Sequence, residues 1–230
     1  MTSWESMILS FRQLGRALSE DAILQDYLAT IYRLEEAYGI ARTTKIAEEL
    51  DVTPATAAKM LSKFEKMGLV ERDKYRGARL TEEGRKIAIK AVWKHRVCEY
   101  FLKTFFKLPL TKLHIYAHIM EHLPEEVVEQ MYELVGRPSC CPHGNPLPGV
   151  SITDNTRPLS EEPAGKWVKV ARIVGEFRNM LDFLERVGID IGTRLQIIKV
   201  TQRDVIVMLD SGNIVTIPSE YAFLMRVVDA

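Results

Sequence analysis

Residues 43–68 read TTKIAEELDVTPATAAKMLSKFEKMG. Ile46, Ala47 and Leu50 give the first half the apolar spacing of a short helix. Asp51-Val52-Thr53-Pro54 then breaks it. Thr53 suits an N-cap and Pro54 the first helical position, where proline's missing N–H is not needed. The second helix runs from Pro54 to about Met67, and Gly68 ends it. A short helix, a tight turn and a longer helix form a helix-turn-helix pattern. Downstream, Leu69–Arg72 reads as a strand, Lys74-Tyr75-Arg76-Gly77 as a turn and Ala78–Leu80 as the returning strand, a basic wing. Upstream, Ser19 reads as the cap of a helix carrying Ile23, Tyr27, Leu28, Ile31 and Leu34, stopped by Gly39. Residues 1–18 read as an extension.

The whole chain has 230 residues, 47% apolar and 27% charged, the profile of a globular protein of one to three domains. No window has the ~20 apolar residues of a membrane span, and Arg12 and Arg16 interrupt the apolar N-terminal stretch that a secretory signal needs. Cys98, Cys140 and Cys141 cannot make a disulfide framework. The expected compartment is a reducing cytoplasm. Net charge is zero, which excludes a wholesale polyanion binder. Yet residues 53–90 hold ten Lys or Arg against five Asp or Glu, the local excess a phosphate-contacting surface needs.

Thr81 caps the next helix, which runs towards Leu108. Two more helices are expected over 111–123 and 125–135. Residues 138–165 hold six prolines without periodicity and read as a linker. From 166 the texture is that of short strands: Val168–Val174, Arg194–Val200, Val205–Leu209, Ile214–Ile217 and Leu224–Val228. One helix, Asn179–Val187, interrupts them. The expected fold is mainly α with a C-terminal all-β domain. It divides into a winged helix-turn-helix domain (1–85), a helical metal-binding and dimerisation domain (86–149), a linker (150–165) and a small SH3-like barrel (166–230).

His114, His118 and His122 recur at i, i+4 and i+8, with Glu121 at i+7, on one face of one helix. His95 and Glu99 share a face of the preceding helix. Imidazole and carboxylate from two adjacent helices suit a divalent Mn, Fe, Co, Ni or Zn ion. His118–His122 also matches H-x-x-E-H, in which Glu121 would activate a zinc-bound water. Further ligands from His95, Glu99 and His114 would fill the positions that a catalytic metal leaves open. Cys98 reads as a packing residue; Cys140, Cys141 and His143 could bind a soft metal, with turn packing the preferred reading.

This order of parts resembles the metal-dependent transcriptional repressors of the diphtheria toxin repressor type, with their iron- and manganese-responsive branches. The residues carrying the resemblance are Asp26–Tyr32, the helix-turn-helix, His95-Arg96-Val97-Cys98-Glu99, the His114–His122 row, and Pro142-His143-Gly144-Asn145-Pro146-Leu147-Pro148. The third domain resembles FeoA. The resemblance implies a primary site of Asp26, His118, Glu121 and His122, and an ancillary site of His95, Glu99 and His114 with Glu176 added from the third domain. Asp26 stands where iron-responsive members carry methionine, and His118 where cysteine or glutamate is usual. This harder donor set tilts towards Mn(II) or Fe(II) over Cu(I), with Zn(II), Co(II) or Ni(II) as substitutes. The resemblance further implies a homodimer on double-stranded operator DNA, no membrane partner, no small organic substrate and no enzymatic activity. Thr53, Thr56, Lys59 and Lys63 would meet base edges and phosphates. Arg42, Thr43, Thr44, Lys74, Tyr75 and Arg76 would touch the backbone. Two other readings remain: a winged-helix regulator with a structural metal and another effector, and a metallohydrolase using the H-x-x-E-H helix.

Overall fold

The computed structural model describes residues 20–73, 76–106 and 108–230. Residues 1–18, the Ser19 cap, Lys74 and Tyr75 lie outside the described residues. The chain forms two compact units. The first takes the chain up to Tyr32 and Ile40–Ala91, and the second Arg33–Gly39 and Val92–Ala230.

The first unit contains the start of α1 (Glu20–Tyr38), α2 (Thr43–Glu49), α3 (Pro54–Lys66), β1 (Val70–Asp73), β2 (Gly77–Leu80) and the start of α4 (Glu82–Phe106). Thr53 caps α3 by accepting from the Thr56 N–H at 3.1 Å, and Pro54 opens the helix. Ala57, Leu61 and Phe64 form the buried stripe of α3, and Tyr27 of α1 meets Phe64 edge-on at 5.5 Å. Burying Leu61 and Phe64 contributes about 1.5–3 kcal/mol each. The wing pairs Val70 with Leu80 through to Asp73 with Gly77. Ala41 exchanges both backbone hydrogen bonds with Ala78. Gly77 is required at this approach: a Cβ there would sit 2.3 Å from the Ala41 carbonyl oxygen, and φ is +134°. The Thr81 hydroxyl accepts from the Gly84 N–H and donates to the Gly68 carbonyl, pinning the start of α4 to the end of α3.

In the second unit, the rest of α4 joins α5 (Leu110–Met120) and α6 (Glu125–Leu134) around Val97, Cys98, Leu102, Leu113, Ala117 and Val128. α5 is shorter than the expected 111–123. Pro124 disfavours helical backbone at the residue before it, so Glu121 caps the helix and His122 follows it. The proline-rich stretch is also ordered where a linker was expected. The Cys141 N–H donates to the Asn145 carbonyl, and Ile173 N–H donates to the His143 carbonyl at 2.8 Å. Leu147 is buried with the helices. Such order rests on tertiary hydrogen bonds and leaves no period in the sequence.

The third part is a six-stranded antiparallel sheet in the order β3-β8-β4-β5-β6-β7. Its strands are β3 (Arg157–Pro158), β4 (Trp167–Ile173), β5 (Arg194–Val200), β6 (Asp204–Leu209), β7 (Ile214–Pro218) and β8 (Met225–Asp229), with helices α7 (Arg178–Val187) and α8 (Ser219–Leu224). Hydrogen bonds leave β3 and β7 as edges, so the expected barrel is a curved SH3-like sheet rather than a closed one. Register shifts at Val170/Arg172 and Ile197/Lys199 bend it. Strand β3 and helix α8 were not expected from sequence; each is too short to show a period.

Candidate metal centre

α4 carries His95 and Glu99 one turn apart, and α5 brings His114 to them. His95 Nε2 lies 3.0 Å from Glu99 Oε1 and 3.0 Å from His114 Nδ1. His114 Nδ1 is itself 3.1 Å from Glu99 Oε1. The other nitrogen of His95, Nδ1, is hydrogen-bonded to Glu121 Oε2 at the end of α5. His118 Nδ1 is 3.5 Å from Glu121 Oε1, and His122 Nε2 is 3.9 Å from it. His95 therefore joins the expected ancillary set to Glu121 of the expected primary set. Donor atoms of His95, His118 and Glu121, and of His95, Glu99 and His114, lie within 4.8 Å of one another.

A third group extends this cluster. His143 Nδ1 is 3.1 Å from the second oxygen of Glu99. Cys141 Sγ is 3.4 Å from Glu176 Oε1. Glu99, Cys141, His143 and Glu176 are all buried. The sequence reading gave Cys141 and His143 to turn packing, so the structure adds two donors to the centre. His143 lies in the 142–148 stretch that carries the family resemblance; Cys141 stands just before it, with no such signal. Glu176 sits in the turn after β4 with φ +49° and is fully buried. Asn145 Nδ2 donates to it at 2.6 Å, and Arg96 Nε at 3.2 Å. Arg96, itself buried, also donates to Glu36 Oε2 and to the Pro146 carbonyl. Cys98 faces the apolar core, and its burial pushes the thiol up to about 12.

The electrostatics follow from the crowding. Burial lowers the His95 imidazole, but Glu99 and Glu121 outweigh it and push it up to about 9. Burial raises Glu99, but His143 and His95 hold it well below the carboxylate range. His118 and His95 do the same for Glu121, against its burial. Burial drives His114 well below the usual histidine value and also lowers His118. Burial likewise lowers His143, but Glu99 outweighs it and raises it.

This donor set fits a divalent transition metal. Among the described residues, Glu121 Oε1, His143 Nε2 and Glu176 Oε2 are buried without a hydrogen-bond partner. A buried polar atom left without a partner costs about 1–3 kcal/mol, and the two carboxylate oxygens are acceptors that a cation would satisfy. Nitrogen and carboxylate oxygen, with one thiol, suit Mn(II), Fe(II), Co(II), Ni(II) or Zn(II).

The other sequence-derived residues belong to the first unit. Asp26 is half-buried on α1. Arg42, Thr44, Thr53, Thr56, Lys59 and Lys63 are exposed, and Thr43 is half-buried. Thr56, Lys59 and Lys63 share the face of α3 opposite its core. Arg76 is exposed at the wing turn, 3.8 Å from Asp73.

Three family descriptions match in chain order: iron dependent repressor, N-terminal DNA binding domain, over residues 21–78; iron dependent repressor, metal binding and dimerisation domain, over 81–149; and FeoA domain, over 157–228. Iron-dependent repressor IdeR of Mycobacterium tuberculosis is 31% identical over 217 residues, covering 87% of this chain and 94% of the relative. Diphtheria toxin repressor of Corynebacterium glutamicum is 29% identical, covering 87% and 93%. The crystal structure of T. acidophilum IdeR matches with a TM-score of 0.75 at 26% identity, over 93% of this chain and 99% of that one. A manganese-dependent transcriptional repressor in complex with manganese matches with a TM-score of 0.74 at 28% identity, over 90% and 100%. By motif order, fold and overall identity, the chain belongs to the iron-dependent repressor family, which includes the diphtheria toxin repressor.

Proposed function

We propose that this metal-dependent transcriptional repressor binds operator DNA as a homodimer once its buried His/Glu centre holds Mn(II) or Fe(II), with Zn(II), Co(II) or Ni(II) able to substitute. The observation carrying this reading is the convergence of His95, Glu99, His114, His118 and Glu121, with Glu176 beside them, in a chain that also holds a winged helix-turn-helix.

Asp26, His118, Glu121 and His122 act as the primary ligands. Asp26 belongs to the first unit and the other three to the second. A metal held by all four therefore favours the conformation in which both are correctly placed, and its differential affinity is the switch. His95, Glu99, His114 and Glu176 form the ancillary set, to which His143 and Cys141 are added. Thr53, Thr56, Lys59 and Lys63 meet the major groove, where two recognition helices of a dimer read successive half-sites. Thr53 accepts from the Thr56 N–H, and the two hydroxyls share a hydrogen bond at 2.9 Å, which holds both side chains at the start of the helix. Arg42, Thr43, Thr44, Lys74, Tyr75 and Arg76 steady the phosphate backbone. Phe105, Phe106, Ile115 and Ile119 are large exposed apolar side chains on α4 and α5. Their burial between two copies supplies the dimer contact. The repressor works in the cytoplasm, beside its DNA.

The hydrolase reading is not favoured: Glu121 faces His95 and His118 instead of an open metal position, and the family is one of repressors. The test is fluorescence anisotropy on a duplex that the metal-loaded protein selects from a random pool. Affinity should rise at least 10-fold with Mn(II) or Fe(II) over chelator, about 1.4 kcal/mol of coupling. Equal affinity with and without metal overturns the reading.

A further inference from the structure

Arg33 is buried on α1, and its Nη1 lies 3.4 Å from Nε2 of His114. Guanidinium has donors only. The ring nitrogen facing it must accept, so His114 is a neutral imidazole with its single proton on Nδ1. Glu99 Oε1, 3.1 Å away, takes that hydrogen bond. Nδ1 is also the nitrogen that His114 turns towards His95 and Glu99. A cation bound there uses the Nδ1 lone pair, and the proton of the neutral ring then resides on Nε2. Nε2–H would point at an N–H of Arg33, two donors facing each other.

We propose that Arg33 is a positioning residue that senses the metal through His114: loading Nδ1 turns Nε2 from acceptor to donor and ejects the guanidinium. The proposal rests on the reading of His114 as a ligand. Two other residues of α1 are held in the second unit by groups other than His114. Glu36 accepts from Arg96 at 2.6 Å, and Tyr38 stacks on Phe177 and donates to Glu220 at 3.0 Å. Loading therefore releases α1 at Arg33 while Glu36 and Tyr38 stay held.

The test uses the full chain with ¹⁵N-labelled histidine and Zn(II) as a diamagnetic probe. His114 resonances are assigned by difference from His114→Gln. Long-range ¹H–¹⁵N spectra should show the Nδ1–H tautomer without metal and Nε2–H with Zn(II). Three variants are then titrated with Zn(II). Arg33→Gln offers Nε2–H an acceptor, Arg33→Met removes charge and donors without supplying an acceptor, and Arg33→Lys keeps a charged donor. Gln should bind Zn(II) roughly threefold or more tighter than Met, the worth of one hydrogen bond, and Lys should stay near the wild type. An Nε2–H tautomer already present without metal, or equal affinities of the Gln and Met variants, overturns the proposal. If His114 resonances do not respond to Zn(II) at all, the ligand reading beneath it fails instead.

Discussion

His143 Nδ1 stands 3.1 Å from Glu99 Oε2, with both side chains fully buried. The two residues lie 44 positions apart, one on a long helix and one in a proline-rich turn. This pair ties the turn to the helix that carries His95 and Glu99, so the turn belongs to the candidate site.

His143→Ala should weaken metal binding ~10-fold or more, the cost of losing a ligand's supporting partner or a ligand itself. Calorimetry with Mn(II) measures it. The same titration on Cys140→Ala, whose side chain lies outside the cluster, should match the wild type.

Metal binding should release protons, because an imidazolium has no lone pair to give. With Glu99 and Glu121 holding His95 at about 9 against an ordinary 6.5, the metal-free ring is charged at neutral pH. Affinity should therefore climb as pH rises towards about 9. The sign for metal-free stability is opposite: the raised value contributes fully below 6.5 and is lost as pH rises through about 9. Calorimetry at pH ~7.5 in buffers of different ionisation heat should report at least one proton released. Identical heats would exclude the His95 proton.

Arg96→Met should destabilise the second unit by about 3–5 kcal/mol, since Glu36 and Glu176 lose their cation while Glu176 stays buried. Urea unfolding followed by circular dichroism reads this. A loss under about 1 kcal/mol would mean that Glu176 is protonated once Arg96 is gone.

Local chemistry explains what the sequence revealed. Thr53 and Pro54 announce the start of α3 within two residues, and the cap forms as read. The histidine row shows because helical spacing is itself a sequence period. The end of α5 was overrun: the row continues to His122, but Pro124 stops the helix first. The partnership of Glu176 with Cys141, His143 and Asn145 has no periodic trace. It spans 31–35 residues and depends on a left-handed backbone at Glu176 that only the fold imposes. Residues 142–148 carry the family resemblance, yet their proline-rich composition alone reads as a linker.

Lys59→Ala should weaken binding to the selected duplex more than to random duplex, if it reads a base edge from the exposed face of α3. Equal weakening, with a salt slope reduced by about one, would make it a phosphate contact.

The central claim is that metal and DNA are coupled through a ligand held by the DNA-binding unit, and Asp26→Ala tests it most directly. Metal binding by calorimetry and operator binding by anisotropy are measured on the same protein. The account predicts that metal still binds at the His95, Glu99 and His114 set while its activation of operator binding falls by 10-fold or more, about 1.4 kcal/mol of coupling. Operator affinity with unchanged metal dependence in Asp26→Ala would contradict it.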